Sequence, residues 1–330
     1  MLSRTADDVY WASRYVERAE NLARLIEVAD RMSLMPTEAD NSREWHSVLI
    51  ASGVEPAYLK HHKRVTEKDA AAFIGYDPEN PSSIVNCIRA ARENIRAQRH
   101  TVTRELWEAI NTFWHDVRDL DARALSPRNR SSVVDQVKLR SHQVRGAIAG
   151  TLIRDDMFNF MRLGTFIERS DSTARILDVK YHLILPQGAG VGGAADYYQW
   201  TALLQSVSAH GNYRRVFGTA VRPIKVAELL ILRPEMPRSI RYCYDEILEN
   251  LTKLSSDYGR SLVSLRMAGK LQSELKYDDV DDIFAHGLHE FLTDVVDRNI
   301  EIGLQIQKDF LLIPEATETE EGQLQTQSLS

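Results

Sequence analysis

The chain is poor in the residues that interrupt or staple a fold. Two cysteines in 330 residues exclude a disulfide framework. Sixteen glycines and ten prolines leave little turn chemistry for an all-β protein. No run reaches the ~18 uncharged apolar residues that a membrane span requires. The N-terminus, "MLSRTADDVYWASRYVERAE", lacks the apolar core of a secretory signal, so the expected location is the cytoplasm, with no membrane association. Basic excess is missing too. A net charge of −6 cannot neutralise a phosphate backbone, and nucleic acid is not an expected partner.

What is present is helix after helix. Ala12, Tyr15, Ala19, Leu22, Ile26 and Ala29 recur at steps of three and four, one apolar stripe on a 3.6-residue helix. The stretch from Ser82 to about Leu120 reads as the longest helix, with Trp107, Ile110, Trp114 and Val117 as its stripe. "SSVVDQVKLRSHQVRGAIAGTLI" reads as another, N-capped by Ser131 or Ser132. "DDIFAHGLHEFLTDVVDRNIEIGLQIQKDFLL" reads as a late helix, while "KYHLILP" could hide a short strand. The fold class expected is all-α.

The chain also writes one charged phrase twice. "YVERAENLARLIEV" (Tyr15 to Val28) returns as "FIERSDSTARILDV" (Phe166 to Val179), 151 residues later and without a gap. Glu17-Arg18 becomes Glu168-Arg169, Glu20 becomes Asp171, and Ala23-Arg24 becomes Ala174-Arg175. "DPENPSSIVNC" (Asp77 to Cys87) matches "RPEMPRSIRYC" (Arg233 to Cys243) at an offset of 156, and Trp45 and Trp200 lie between the two blocks. These landmarks imply a tandem duplication: a first helical repeat over 1–151, a second over 152–313, and an acidic, disordered tail over 314–330. A period this long does not suit a stacked solenoid. Two copies packed about a pseudo-twofold axis suit it better. Each Pro-x-x-Pro pair fits a loop that ends one helix and begins the next.

Glu17, Glu20, Asn21 and Arg24 lie opposite the apolar stripe. A solvated face needs charge, but not the same charge at the same place in both copies. The candidate binding residues are therefore Glu17, Arg18, Glu20, Arg24, Glu168, Arg169, Asp171 and Arg175. They fit either a buried ionic network between the repeats or a site where arginines grip an anionic or amide-bearing ligand. Glu17, Arg24, Glu168 and Arg175 are expected to be substantially buried. Arg214, Arg215 and Arg222 form a secondary basic cluster that suits an acidic partner or a solvated face.

Other motifs carry less. Gly188, Gly190 and Gly193 have dinucleotide spacing, but Pro186 interrupts and no βαβ series surrounds them, so no cofactor is expected. His286 and His289 stand near carboxylates, yet neither Glu-x-x-His nor His-Glu-x-x-His occurs, so no metal is expected. Cys87 and Cys243 fall at matching positions and read as small packing residues rather than nucleophiles.

"MLSRTADDVYWASRYVERAENLARLIEV", "FMRLGTFIERSDSTARILDVKYH", "WTALLQSVSAHGNYRR" and "VAELLILRPEMPRSIRYC" resemble the bacterial Alpha-E domain family up to about Leu312, with its Glu-Arg motif at Glu17-Arg18 and Glu168-Arg169. The resemblance implies a helical fold. It also implies a setting beside a circularly permuted ATP-grasp protein, and often a transglutaminase-like protease, in a peptide or amide-bond pathway. It assigns no catalytic residue. The function it implies is a non-catalytic scaffold or accessory subunit that contacts the ATP-grasp protein or presents a peptide substrate. The alternative is an enzyme of the same pathway using a Glu/Arg-lined cleft between the repeats, with Glu17 or Glu168 as acid/base.

Overall fold

The computed structural model describes residues 3–34, 42–182 and 193–311. These residues form fifteen α-helices and a closing π-helical turn, Gln307–Leu311, with no strand among them. The first run is α1 (Ser3–Ser33), α2 (Ser42–Ala51), α3 (Glu55–His61), α4 (Glu67–Gly75), α5 (Ile84–Ala97), α6 (Arg104–Val117) and α7 (Arg130–Thr151). The second is α8 (Asp156–His182), α9 (Ala194–Ser206), α10 (His210–Phe217), α11 (Pro223–Ile231), α12 (Ile240–Tyr258), α13 (Val263–Tyr277), α14 (Val280–His286) and α15 (Leu288–Ile306). The fold is all-α. Both ends of α11 lie 156 residues beyond those of α4, and α12 starts 156 beyond α5.

The long helices make two four-membered rings. In one, α1 and α6 each pack on α5 and α7; in the other, α8 and α13 each pack on α12 and α15. The rings meet through α1 and α8, the most extensive helix pairing in the molecule. This placement explains why α1 is buried all round. From Val16 to Ile26 only Arg18 keeps partial exposure, because the apolar side feeds one ring and the charged side faces α8. Gly164 sets the approach between them. A Cβ there would lie 2.2 Å from the Tyr10 carbonyl oxygen and 3.3 Å from Ser13 Cβ.

The Pro-x-x-Pro blocks are loops, as expected, and each ends in a serine cap. Ser83 accepts from the Asn86 amide at 3.3 Å, and Ser239 from the Tyr242 amide at 2.9 Å. The side chain of Asn86 bonds back to the carbonyls of Asp77, Pro78 and Asn80, which fixes the first loop.

Four expectations fail locally. The helix expected from Ser82 to Leu120 is two helices, α5 and α6, because the β-branched Thr101-Val102-Thr103 turn intervenes and Thr103 caps α6. The buried stripe of α6 is Leu106, Ile110, Phe113 and Val117, with Trp107 and Trp114 at its margins. Helix α7 begins one residue before Ser131, with Asn129 in the cap position and no side-chain cap bond. The late helix breaks into α14 and α15 at Gly287, whose φ of 106° continues no right-handed helix. Of "KYHLILP", Lys180, Tyr181 and His182 end α8. The remainder, Gly188 and Gly190, and the 314–330 tail lie outside the described residues.

Gly164→Ala should lower the melting temperature. Overpacking a tight helix crossing costs about 1–3 kcal/mol, and here the obstacle is backbone, which cannot swing away. A thermal melt with an unchanged midpoint would show that the two helices are less closely apposed than described.

Candidate functional site

The doubled phrase becomes two crossed ion pairs. Arg169 of α8 meets Glu17 of α1 side-on, Nε to Oε1 at 2.9 Å and Nη2 to Oε2 at 2.9 Å. Arg18 of α1 meets Glu168 of α8 in the same way, Nε to Oε1 at 2.5 Å and Nη2 to Oε2 at 3.0 Å. Asn21 Nδ2 donates to Ser172 Oγ at 2.5 Å, a contact between residues 151 apart. Partners of equal or adjacent rank thus touch at successive turns, so α1 and α8 run parallel. Planar guanidinium–carboxylate forks of this kind are the strong, orientation-specific class of ion pair.

Each pair carries further partners. Arg14 Nε donates to Glu168 at 2.9 Å. Glu17 also accepts from Arg145 of α7 at 2.8 Å, and Arg238, from the loop before α12, lies 3.3 Å away. Glu20 is gripped by Arg24, Nε at 3.0 Å and Nη2 at 2.7 Å, by Arg145 at 2.5 Å, and by a short contact from Arg238. Arg24 turns its other terminal nitrogen to the Ser206 carbonyl at 2.5 Å and Ser208 Oγ at 3.1 Å. Among the described residues Asp171 takes only Arg175 Nε, at 2.7 Å.

Glu17, Glu20, Arg24 and Glu168 are buried to within a few per cent, and Arg169 nearly so. Arg175 departs from expectation, with a side chain 29% exposed. Arg18 is also part-exposed, because both flank an opening rather than the core. Burial alone would push the buried carboxyls up, but the arginines prevail. Arg18 and Arg14 hold Glu168 down at about 2, and Glu17 and Glu20 are likewise lowered by Arg169, Arg145 and Arg238. Arg238, surrounded by other guanidiniums, falls to about 10 through burial first and Arg24 second. Cys87 lies beside the Arg18–Glu168 pair and Cys243 beside Arg169–Glu17, and burial pushes both thiols up to about 12. Neither is a nucleophile in this state.

Elsewhere, Arg214 and Arg215 are exposed on α10 and Arg222 is exposed at the start of α11, apart from the network. His289 lies in the first turn of α15. It bonds Asp178 at 2.6 Å and stacks on Tyr181 at 3.8 Å. No group of metal-ligating side chains forms among the described residues. A cavity of about 550 Å3 beside α1 and α7 holds Asp30, which pairs with Arg130; burial nonetheless raises its carboxyl to about 6.

Sequence reasoning missed Arg14, Arg145, Arg238 and Asp30. Arg14 was legible as one turn before Arg18 on the same face. Arg238 was visible as the residue that replaces Ser82 in the second Pro-x-x-Pro block. Arg145 had no local signal, since only the packing of α7 on α1 brings it to Glu17.

A family model described as "a predicted alpha-helical domain with a conserved ER motif", Alpha-E, matches residues 1–311. The chain belongs to the Alpha-E family. The Glu-Arg motif of this Alpha-E protein is thus the pair of crossed forks. Uncharacterised proteins of Mycobacterium bovis and Mycobacterium tuberculosis are 22% identical over 313 residues, covering 89% of this chain. The Alpha-E chain spans about a third of their length, 35%. No solved structure matches it. No helix among the described residues is long and apolar enough to cross a membrane.

Two outcomes check this geometry. Arg18→Ala and Arg169→Ala should each cost about 3–5 kcal/mol, since each removes a two-bond fork from a buried carboxylate, against about 0.5 kcal/mol for exposed Arg215→Ala. Equal losses at all three positions, read by denaturant melts, would contradict it. The Glu168 carboxyl is lower in the folded chain than its ordinary 4.5, so its contribution is complete above pH 4.5 and fades as pH falls toward 2. That limb amounts to about 3 kcal/mol. Stability measured from pH 5 to 2 should fall accordingly, and a flat profile would show that Glu168 is not held ionised.

Proposed function

We propose that this Alpha-E chain is a non-catalytic helical scaffold or accessory subunit, built by tandem duplication over 1–151 and 152–313, for a peptide or amide-bond pathway run by an ATP-grasp ligase. The observation that carries the reading is the ion pairing of the buried motif carboxylates. Glu17, Glu20 and Glu168 are buried, each held by two or more arginines, and kept ionised far below neutral pH. A general acid or base works best with a pKa near the operating pH, and these groups are tuned away from it. The motif is suited to holding α1 and α8 in fixed register. The greater length of the mycobacterial relatives, about three times this region, supports a domain that works attached to or beside another. The partners under this proposal are a circularly permuted ATP-grasp protein and, in some settings, a transglutaminase-like protease.

A second reading, an enzyme of the same pathway, keeps one observation in its favour, though not at the motif. Asp30 combines a carboxyl raised to about 6 with the 550 Å3 cavity, the attributes of an acid/base residue. It would bind substrate between α1 and α7 rather than between the halves.

Co-purification at moderate salt tests the first reading. The chain should retain the ATP-grasp protein, and Asp30→Asn should leave that complex intact. Absence of a complex, with or without nucleotide, would overturn direct contact. Loss of pathway product with the complex preserved in Asp30→Asn would move the assignment to the enzyme reading.

A further inference from the structure

The two halves differ at one place in the network. Arg238 stands 156 residues after Ser82, at the same point of the matching Pro-x-x-Pro loop. In the second half its guanidinium is buried against Glu20, with Glu17 Oε1 at 3.3 Å and Asn21 Oδ1 at 3.2 Å. In the first half the place beside Ser82 is a cavity of about 250 Å3. Its walls are the counterparts of Arg238's neighbours: Glu168 for Glu17, Asp171 for Glu20, Ser172 for Asn21 and Arg175 for Arg24. The shorter aspartate and the small serine leave open what Arg238 fills.

We propose that this cavity binds an alkylguanidinium cation, such as an arginine side chain, with Asp171 as its carboxylate partner, in the position that Arg238 occupies from within the chain on the other side. Asp171 has room for it. Among the described residues only Arg175 Nε, at 2.7 Å, is bonded to that carboxylate, whereas Glu20 meets three guanidiniums. Formal charge is already net positive here, but less so than in the cluster that holds Arg238. Arg14, Arg18 and Arg175 face Glu168 and Asp171, one positive charge fewer than Arg24, Arg145, Arg169 and Arg238 against Glu17 and Glu20. A bound guanidinium makes the two clusters equal, and the second half shows that the fold holds four such groups around two carboxylates. Leu22 and Leu25 give the methylene stem an apolar wall. Entry is from solvent, since Arg18 and Arg175 at the rim are 26% and 29% exposed. Equivalence of the two halves carries the proposal, which is independent of any ATP-grasp partner.

Calorimetric titration with n-propylguanidinium tests it, with n-propylammonium and inorganic phosphate as comparators. Wild type should bind propylguanidinium saturably at one site and the ammonium more weakly. Asp171→Asn should weaken it about tenfold or more, as loss of a charged hydrogen bond does. Ser82→Arg, which mirrors Arg238, should abolish binding and raise the melting temperature. Should that variant fail to fold, Asp171→Asn, checked by circular dichroism, decides alone. No saturable binding to wild type, undiminished binding to either folded variant, or phosphate bound in preference would overturn the proposal. Free arginine against acetyl-Gly-Arg-Gly-amide then separates a metabolite from a peptide-borne side chain.

Discussion

The crossed exchange of carboxylate and guanidinium between α1 and α8 is the constraint on which the remaining architecture depends. Glu17 takes Arg169 and Glu168 takes Arg18, each as a two-bond fork. A fork fixes both distance and orientation, so two of them related across a helix pair fix register, rotation and separation together. Gly164 permits the separation, and the Asn21–Ser172 bond continues the register by one turn. Everything else is arranged outward. One ring is completed by α5, α6 and α7, the other by α12, α13 and α15, and the short helices close over the ends.

Such a network is a costly way to stabilise a core. Desolvating charges offsets most of their attraction, and an apolar replacement of the same shape often does as well. Its use here is better explained by specificity. Two apolar stripes could slide by a turn with little loss, whereas a one-turn slip of α8 on α1 would break both forks at once. The same arginines keep the motif carboxyls ionised well below the ordinary carboxylate range. Carboxyls held down by arginines and thiols raised by burial have little to offer a substrate. The open chemistry lies where fewer arginines hold the carboxylate, at Asp171 and at Asp30.

Much of this was legible before any coordinates. Helical periodicity identified the all-α class, because amphipathic stripes are a local property of the chain. The repeated phrase pointed to Glu17, Arg18, Glu168 and Arg169, and the structure brings these four side chains together between α1 and α8. Helix ends were less legible. The break at Thr101 to Thr103 and the one at Gly287 depend on caps and single φ angles that periodicity does not register. The cross-over of partners was not legible either. Glu20 and Arg24 stand one turn apart and pair directly, but Glu20 also meets Arg145 and Arg238, which come from 125 and 218 residues away. Arg175 misled for a related reason. It has the same phrase around it as Arg24, but Ser82 in place of Arg238 leaves its side open.

If the crossed forks lock the two rings into one cooperative unit, amide hydrogen exchange under native conditions reads it directly. Amides of Val16 to Ile26 in α1 and of Ile167 to Leu177 in α8 should exchange only through global unfolding, with one common free energy that matches the denaturant-derived stability. Exchange of the α8 segment at a distinctly lower free energy, while the α1 segment stays protected, would show two separately folding halves and contradict the account.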